Sequence, residues 1–251
     1  MAISISLRAE SARRLTGTRA WIVAAVALLA LVAAVVGVSL TPLFDARDIA
    51  VESGAHVPRS RIVELSGVSS GTNVLWLDEA AVERRLEAEP WIDRARVVAE
   101  FPSSIRISVI ERTPVAVASD GVRASLMAGD GTSLGVADRE PTLPVIRLAA
   151  NGSVDGPVPG PVGAARALGA MSPALRDRVG RVLVRLDGTL EIRMESGPVV
   201  RYGTPSDVEA KARAISRMLA WAEAQGERIL RLTVTSPRAP AAVLADRSAA
   251  A

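Results

Sequence analysis

The amino-acid sequence predicts an α+β protein: a single N-terminal transmembrane helix, a β-α-α-β-β unit, then a mixed β region with a C-terminal helix and an edge strand. Three observations lead there. Residues 21–40, WIVAAVALLALVAAVVGVSL, form a run of twenty residues without a charge. At ~1.5 Å rise per residue such a run spans the ~30 Å hydrocarbon core of a bilayer. Residues 60–117 alternate helical and strand signals in a fixed order. Beyond Thr113-Pro114 the chain breaks into short strand-like runs punctuated by Asp130-Gly131 and Asp187-Gly188, dipeptides that favour tight hairpin turns.

The apolar run is the membrane anchor, with Trp21, Leu28, Leu31 and Leu40 among its bilayer-facing residues. It exceeds the ~7–15 residues usual in a signal peptide, although small residues late in the run leave a cleaved leader as the alternative. Residues 1–20 carry Arg8, Arg13, Arg14 and Arg19 against Glu10, whereas residues 41–60 carry Arg47 and Arg59 against Asp45, Asp48 and Glu52. That asymmetry keeps the N-terminal side in the cytoplasm and puts residues 41–251 outside, and Trp21 suits the interface. The expected product is a single-pass inner-membrane protein with a short cytoplasmic tail at residues 1–20.

Composition excludes several function classes. Cysteine is absent, so disulfides and thiolate chemistry are excluded. His56 is the only histidine, too few for a zinc site, and no metal or other cofactor is expected. The calculated pI near 10.3 reflects arginine, since Lys211 is the only lysine. Charge is dispersed, at net +3 over residues 1–20, −3 over 41–112 and +3 over 113–251, which argues against nucleic acid as a partner. No GxSxG, P-loop or GxGxxG pattern is present. Glu87, Glu89 and Asp93 form an acidic run that a paired-carboxylate hydrolase would need, but a solvated helix end explains them better. The chain reads as a non-enzyme.

The elements follow in order. Residues 44–51 read as a strand. Pro58 opens a helix whose apolar residues include Ile62, Val63 and Leu65, and Gly67 supplies the left-handed C-terminal cap. After the Gly71-Thr72-Asn73 turn, Asp78 caps a second helix over residues 79–88, and Pro90 ends it. Residues 95–100 and 105–111 are strands joined through Phe101-Pro102-Ser103-Ser104; Ile105, Ile107 and Val109 alternate with Arg106, Ser108 and Ile110 at period two.

Beyond the break, residues 115–118, 124–127 and 133–136 are short strands. Residues 151–163 are a Gly- and Pro-rich loop, and 164–171 a short helix. Strands at 182–186, 190–195 and 199–202 precede the clearest helix, residues 205–224, with Thr204 and Asp207 as capping box and Pro205 in its first turn. Val208, Ala212, Ile215, Leu219 and Ala222 make its apolar face. Residues 229–235 are a last long strand with Leu230, Leu232 and Val234 on one side. Residues 241–244 are an apolar stub, and 246–251 a disordered tail. Trp76, Trp91 and Trp221 are expected as core anchors.

The order and spacing of GTNVLWLD (residues 71–78), PWI (90–92), EFPSSIRISVIERTPVAV (100–117), RYG (201–203) with Lys211 following, and ILRLTVTSPRAP (229–240) resemble the bacterial cell-division family FtsQ, also called DivIB. The resemblance implies a POTRA domain at residues 44–112 and an FtsQ-type β domain at 113–245. It implies a divisome scaffold at the division septum that binds FtsB-like and FtsL-like membrane proteins and other divisome proteins, and helps control septal peptidoglycan synthesis. It also implies that a partner strand adds alongside the end of the β domain, at Val234, Thr235, Ser236, Ala241, Ala242, Val243 and Leu244. Pro237 and Pro240 lie between the two stretches and shorten the usable edge. For Val234 the competing reading is the protein's own core; for Lys211 it is an exposed helix position; for Arg112 and Thr113 it is a solvated strand end rather than a determinant of the interdomain angle.

Two other functions stay open at this point. A POTRA-containing secretion or envelope-assembly component would need a β-barrel that residues 113–251 do not resemble. An anchored cell-wall enzyme would need a catalytic constellation.

Overall fold

The computed structural model describes residues 10–137, 142–148 and 160–245. The expectations for the first nine residues, for most of the Gly- and Pro-rich loop and for the C-terminal tail lie outside the described residues. The chain divides into two units, Met1–Glu87 with Arg94–Ile110 and Ala88–Asp93 with Glu111–Ala251.

In the first unit the N-terminal helix α1 runs Glu10–Ser39. Its segment Trp21–Ser39 has a mean hydropathy of 2.8, long and apolar enough to cross a membrane. Trp21, Leu28 and Leu31 are exposed along it, and Leu40 lies one residue past its end. A 3-10 turn at Pro42–Phe44 follows, opened by a proline that sets a helical φ, and it takes in the first residue of the strand expected over 44–51, which begins only at Asp48. Then come β1 (Asp48–Glu52), α2 (Arg59–Ser66), a 3-10 turn at Val74–Trp76, α3 (Glu79–Glu87), β2 (Ile92–Glu100) and β3 (Ser104–Glu111). The sheet order is β1-β3-β2, with β1 parallel to β3 from Asp48↔Ser104 to Glu52↔Ser108.

Gly67 closes α2 at φ 66°, and Asp78 Oδ1 accepts the Ala81 N–H at 3.0 Å to open α3. Ile62, Val82, Leu86, Val97, Ile105 and Ile107 are buried as the apolar layer between helices and sheet. Burial of each such side chain contributes roughly 1.5–3 kcal/mol.

The second unit carries a nine-stranded sheet. Its strands are β4 (Pro114–Ser119), β5 (Ala124–Ala128), β6 (Ser133–Val136), β7 (Val145–Leu148), β8 (Val179–Val184), β9 (Leu190–Met194), β10 (Val199–Gly203), β11 (Ile229–Thr233) and β12 (Ala241–Leu244). They lie in the order β12-β11-β10-β9-β8-β7-β4-β5-β6. Helices α4 (Gly160–Gly169) and α6 (Val208–Gln225) pack their buried residues Ala164, Leu168, Ile215 and Leu219 with Val182, Ile192, Val200 and Leu232 in one core; α5 is the short Pro173–Arg176. A smaller cluster of Val117, Leu126, Ala128 and Leu134 has Trp91 packed against it.

Several expectations need correction. β7 was missed in sequence: it is four residues long and gains its place by parallel pairing to both β4 and β8. The last helix begins at Val208, not Pro205. Asp207 precedes it at φ 52° with no side-chain cap, so the capping box does not form. In β11 the register shifts between Ile229 and Arg231, which leaves Leu230 half-exposed while Leu232 is buried. Trp76 and Trp221 are 64% and 44% exposed and are not core anchors.

Lys211 is the largest reversal. It is fully buried; its Nζ donates to the Thr204 carbonyl at 2.7 Å and lies 4.8 Å from the centre of the Tyr202 ring. Burial lowers its pKa, and the charge of Asp207 opposes that. Burial raises the pKa of Tyr202, reinforced by Glu209 and Asp207. Gly203, at φ 75°, is required because a Cβ would stand 2.4 Å from Thr235 Cγ2. RYG and Lys211 therefore form one pin that joins β10 to the start of α6 and to the chain leaving β11.

Lys211→Ala leaves a cavity and an unpaired carbonyl, and is expected to lose about 2–4 kcal/mol of stability. Urea unfolding of the purified protein measures this, and a change below the error of the method would show that the pin is dispensable.

Candidate partner-docking edge

A strand at the end of a sheet has unpaired N–H and C=O groups that invite another strand. The two sheets have four such ends, and they are treated differently. At β2, three carboxylates from one face of α3 take the place of a neighbouring strand. Glu79 accepts the Ala99 N–H at 2.7 Å, Glu83 the Val97 N–H at 3.0 Å and Glu87 the Ala95 N–H at 3.1 Å. The spacing i, i+4, i+8 puts all three on one helical face, and alternate strand residues direct their N–H groups to one side. Glu87, exposed at the helix end as expected, also serves as an edge cap. This role was legible only as a repeated Glu spacing, which a solvated helix face also produces.

At β1 the strand is bounded by Asp48 and Glu52, and Glu52 receives Arg106 Nη1 at 3.3 Å and the Ser108 hydroxyl at 3.2 Å. At β6 the short strand contains Gly135 at φ 107° and is pulled toward β5 by the Ser125 hydroxyl, which donates to the Gly135 carbonyl at 2.9 Å. Charge and irregular backbone both discourage pairing.

β12 has neither device. Ala241–Leu244 carries no charged residue, and among the described residues its pairing is with β11 alone, antiparallel, through Thr233↔Ala241, Leu232↔Ala242, Arg231↔Val243 and Ile229↔Leu244. Val243 is 55% exposed and Leu244 37% exposed. Pro237 and Pro240 fall in the connection between β11 and β12, outside both strands, so neither interrupts the edge.

The sheet face on this side is basic. Arg181, Arg193, Val199, Arg231 and Val243 stand opposite one another in one row across β8 to β12. Arg201 lies in the next row, beside Glu191. Glu191 is engaged by Arg185 at 2.8 Å and Arg193 at 3.6 Å, and the hydrogen bond from Arg185 lowers its pKa against the opposing effect of burial. Arg181, Arg201 and Arg231 have no ion-pair partner among the described residues. An extended chain added at β12 would run beside this field, and acidic side chains on that face would be favoured.

The sequence-derived edge residues divide accordingly. Ala241, Ala242, Val243 and Leu244 form the edge strand. Val234 does not belong to it: its side chain is fully buried in the core and its N–H donates to the Arg201 carbonyl at 2.9 Å. Thr235 and Ser236 are exposed but follow the end of β11. Arg112 is no solvated strand end either. Its guanidinium donates to Asp130 Oδ2 at 2.8 Å, to the Pro90 carbonyl at 3.0 Å and to the Ile92 carbonyl, clasping the Pro90–Ile92 backbone to the β5–β6 turn. Among the described residues, no group of three or more His, Cys, Asp or Glu side chains is arranged to hold a metal.

A family model described as the FtsQ-type POTRA domain matches residues 44–112. The cell division protein FtsQ of Mycolicibacterium smegmatis is 28% identical over 198 residues, covering 77% of this chain and 58% of that protein. The cell division protein FtsQ of Mycobacterium tuberculosis is 30% identical over 200 residues, covering 77% of this chain and 63% of that protein. The chain therefore spans about three fifths of the length of these curated relatives. A solved structure of the major extracytoplasmic domain of the cell division protein DivIB from Geobacillus stearothermophilus aligns with 47% of this chain and 96% of that one, at 17% identity and a TM-score of 0.32.

If the α3 carboxylates block β2, replacing Glu79, Glu83 and Glu87 together by alanine should open a second pairing edge. Sedimentation should then give a higher average mass than for the parent protein. An unchanged mass together with an unchanged fold would show that the carboxylates do not guard the strand.

Proposed function

Because the chain belongs to the FtsQ/DivIB family of bacterial cell-division proteins, we propose that it is a membrane-tethered scaffold of the divisome. In this reading it binds FtsB-like and FtsL-like single-pass proteins, together with other divisome components, and so helps control septal peptidoglycan synthesis. Its place is the plasma membrane at the septum, N-terminus in the cytoplasm and both units outside. The FtsQ type of the matched POTRA domain favours this over secretion or envelope assembly.

The observation that carries the reading is the uncapped β12 edge beside a basic sheet face. A partner segment pairs in extended form with Ala241–Leu244, its backbone completing the ladder and its acidic side chains lying toward Arg231 and Arg193. Anchoring all components in one membrane raises their effective concentration, so a short ladder suffices. The protein acts by holding partners and performs no chemistry.

Val243→Asp puts a carboxylate on an exposed edge position, where it repels an acidic partner strand and leaves the core untouched. Capture of an FtsB-like membrane protein from cells should be lost while the thermal midpoint stays within a degree or so. Retained capture would exclude β12 as the contact.

A further inference from the structure

The apolar surface at the exit of α1 is not used by the scaffold reading. There the turn of sequence GTNVLW is stitched to the end of the helix. Asn73 Nδ2 donates to the Ser39 carbonyl at 2.8 Å, which satisfies one of the free carbonyls of the last helical turn. The Ala46 N–H donates to the Thr72 carbonyl at 2.8 Å, the Gly71 N–H to the Ala46 carbonyl at 3.1 Å, and Asp45 bridges Asn73. The Asn73 side chain also accepts the Leu75 N–H at 3.0 Å, which shapes the 3-10 turn Val74–Trp76.

These bonds hold Leu75 against the helix. Leu75 and Phe44 line a cavity of about 340 Å³ together with Ala34, Val35, Val38 and Ser39. Four of those six residues belong to the segment Trp21–Ser39. Val35 lies about 6 Å below Ser39 at ~1.5 Å per residue. A side chain that shares a cavity with Ala34 and Val35 therefore reaches below the level where the apolar helix ends. Around it Leu40, Leu43, Leu75 and Trp76 are 67%, 55%, 41% and 64% exposed, and neither 3-10 turn contains a charged residue.

We infer that the Val74–Trp76 turn is a second membrane contact: Leu75 enters the acyl region beside α1, and Trp76 lies at headgroup level, where amphipathic rings are favoured. The occupant of the notch is lipid, because the patch is continuous with the helix surface that lipid already covers and has no charge for a polar partner to meet. The first unit is thereby seated on the bilayer by two contacts, which fixes its tilt, instead of turning freely about the helix end. This rests on Trp21–Ser39 crossing the membrane.

The absence of cysteine allows single nitroxide labels at Leu75→Cys, Val26→Cys and Val122→Cys in the full chain. Val26 lies within the apolar helix, and Val122 is 93% exposed in the β4–β5 turn. The proteins are placed in phosphatidylcholine–phosphatidylglycerol nanodiscs, and power saturation compares access of oxygen and of a water-soluble nickel chelate. The expected oxygen-to-nickel ratio at position 75 is several-fold that at 122 and on the same side as that at 26. An aqueous reading at 75 with a lipid reading at 26 overturns the inference while the span stands. A label at 75 shielded from both reagents means that protein fills the notch, and overturns it too. An aqueous reading at 26 removes the span and the inference with it.

Discussion

A sheet can satisfy its interior backbone but not its rims, and the arrangement of this protein follows from how its rims are managed. At β2 the solution is chemical: three carboxylates on consecutive turns of α3 accept the outward N–H groups that a fourth strand would otherwise take. At β6 it is conformational, through a left-handed glycine in a four-residue strand. Among the described residues only β12 combines an unbulged, uncharged strand with an exposed outer side, the register shift of its pairing lying in β11. Unpaired polar groups in an apolar stretch are costly to leave dry and prone to pairing with another strand when wet.

What holds β12 in position is a set of buried interactions next to the rim. α6 lies over the sheet and ends at Gly226, φ 64°, which turns the chain into β11. The start of α6 is fixed by Lys211, whose ammonium satisfies the Thr204 carbonyl and faces the Tyr202 ring. Val234, fully buried just past β11, sets where the chain leaves the core before it returns as β12. A burial cost falls on Lys211, and the hydrogen bond and the aromatic face offset part of it.

Local chemistry made some of this legible in the sequence. Gly67 and Asp78 act within one turn of themselves, and each forms the cap expected of it. The α+β class and the FtsQ resemblance rested on the order of such signals. What escaped was non-local. β7 exists only because β4 and β8 pair with it on both sides. Lys211 has the composition of a surface residue, and its burial depends on a carbonyl seven positions earlier. Trp76 looked like a core residue by its size, but it lies at the exit of an apolar helix. Of the proposed edge, Val243 and Leu244 were readable as exposed apolar positions near the end of the chain. Val234 was not separable from them, because a buried and a partner-covered valine have the same sequence pattern.

The central claim is that β12 carries an open backbone rim awaiting another chain. Hydrogen exchange resolved to Ala241–Leu244 tests it most directly, measured on the full protein alone and with its membrane partners bound. The account predicts fast exchange at outward-facing amides of the free protein and slow exchange in the complex. Amides already protected in the free protein, or unprotected in a stable complex, would contradict it.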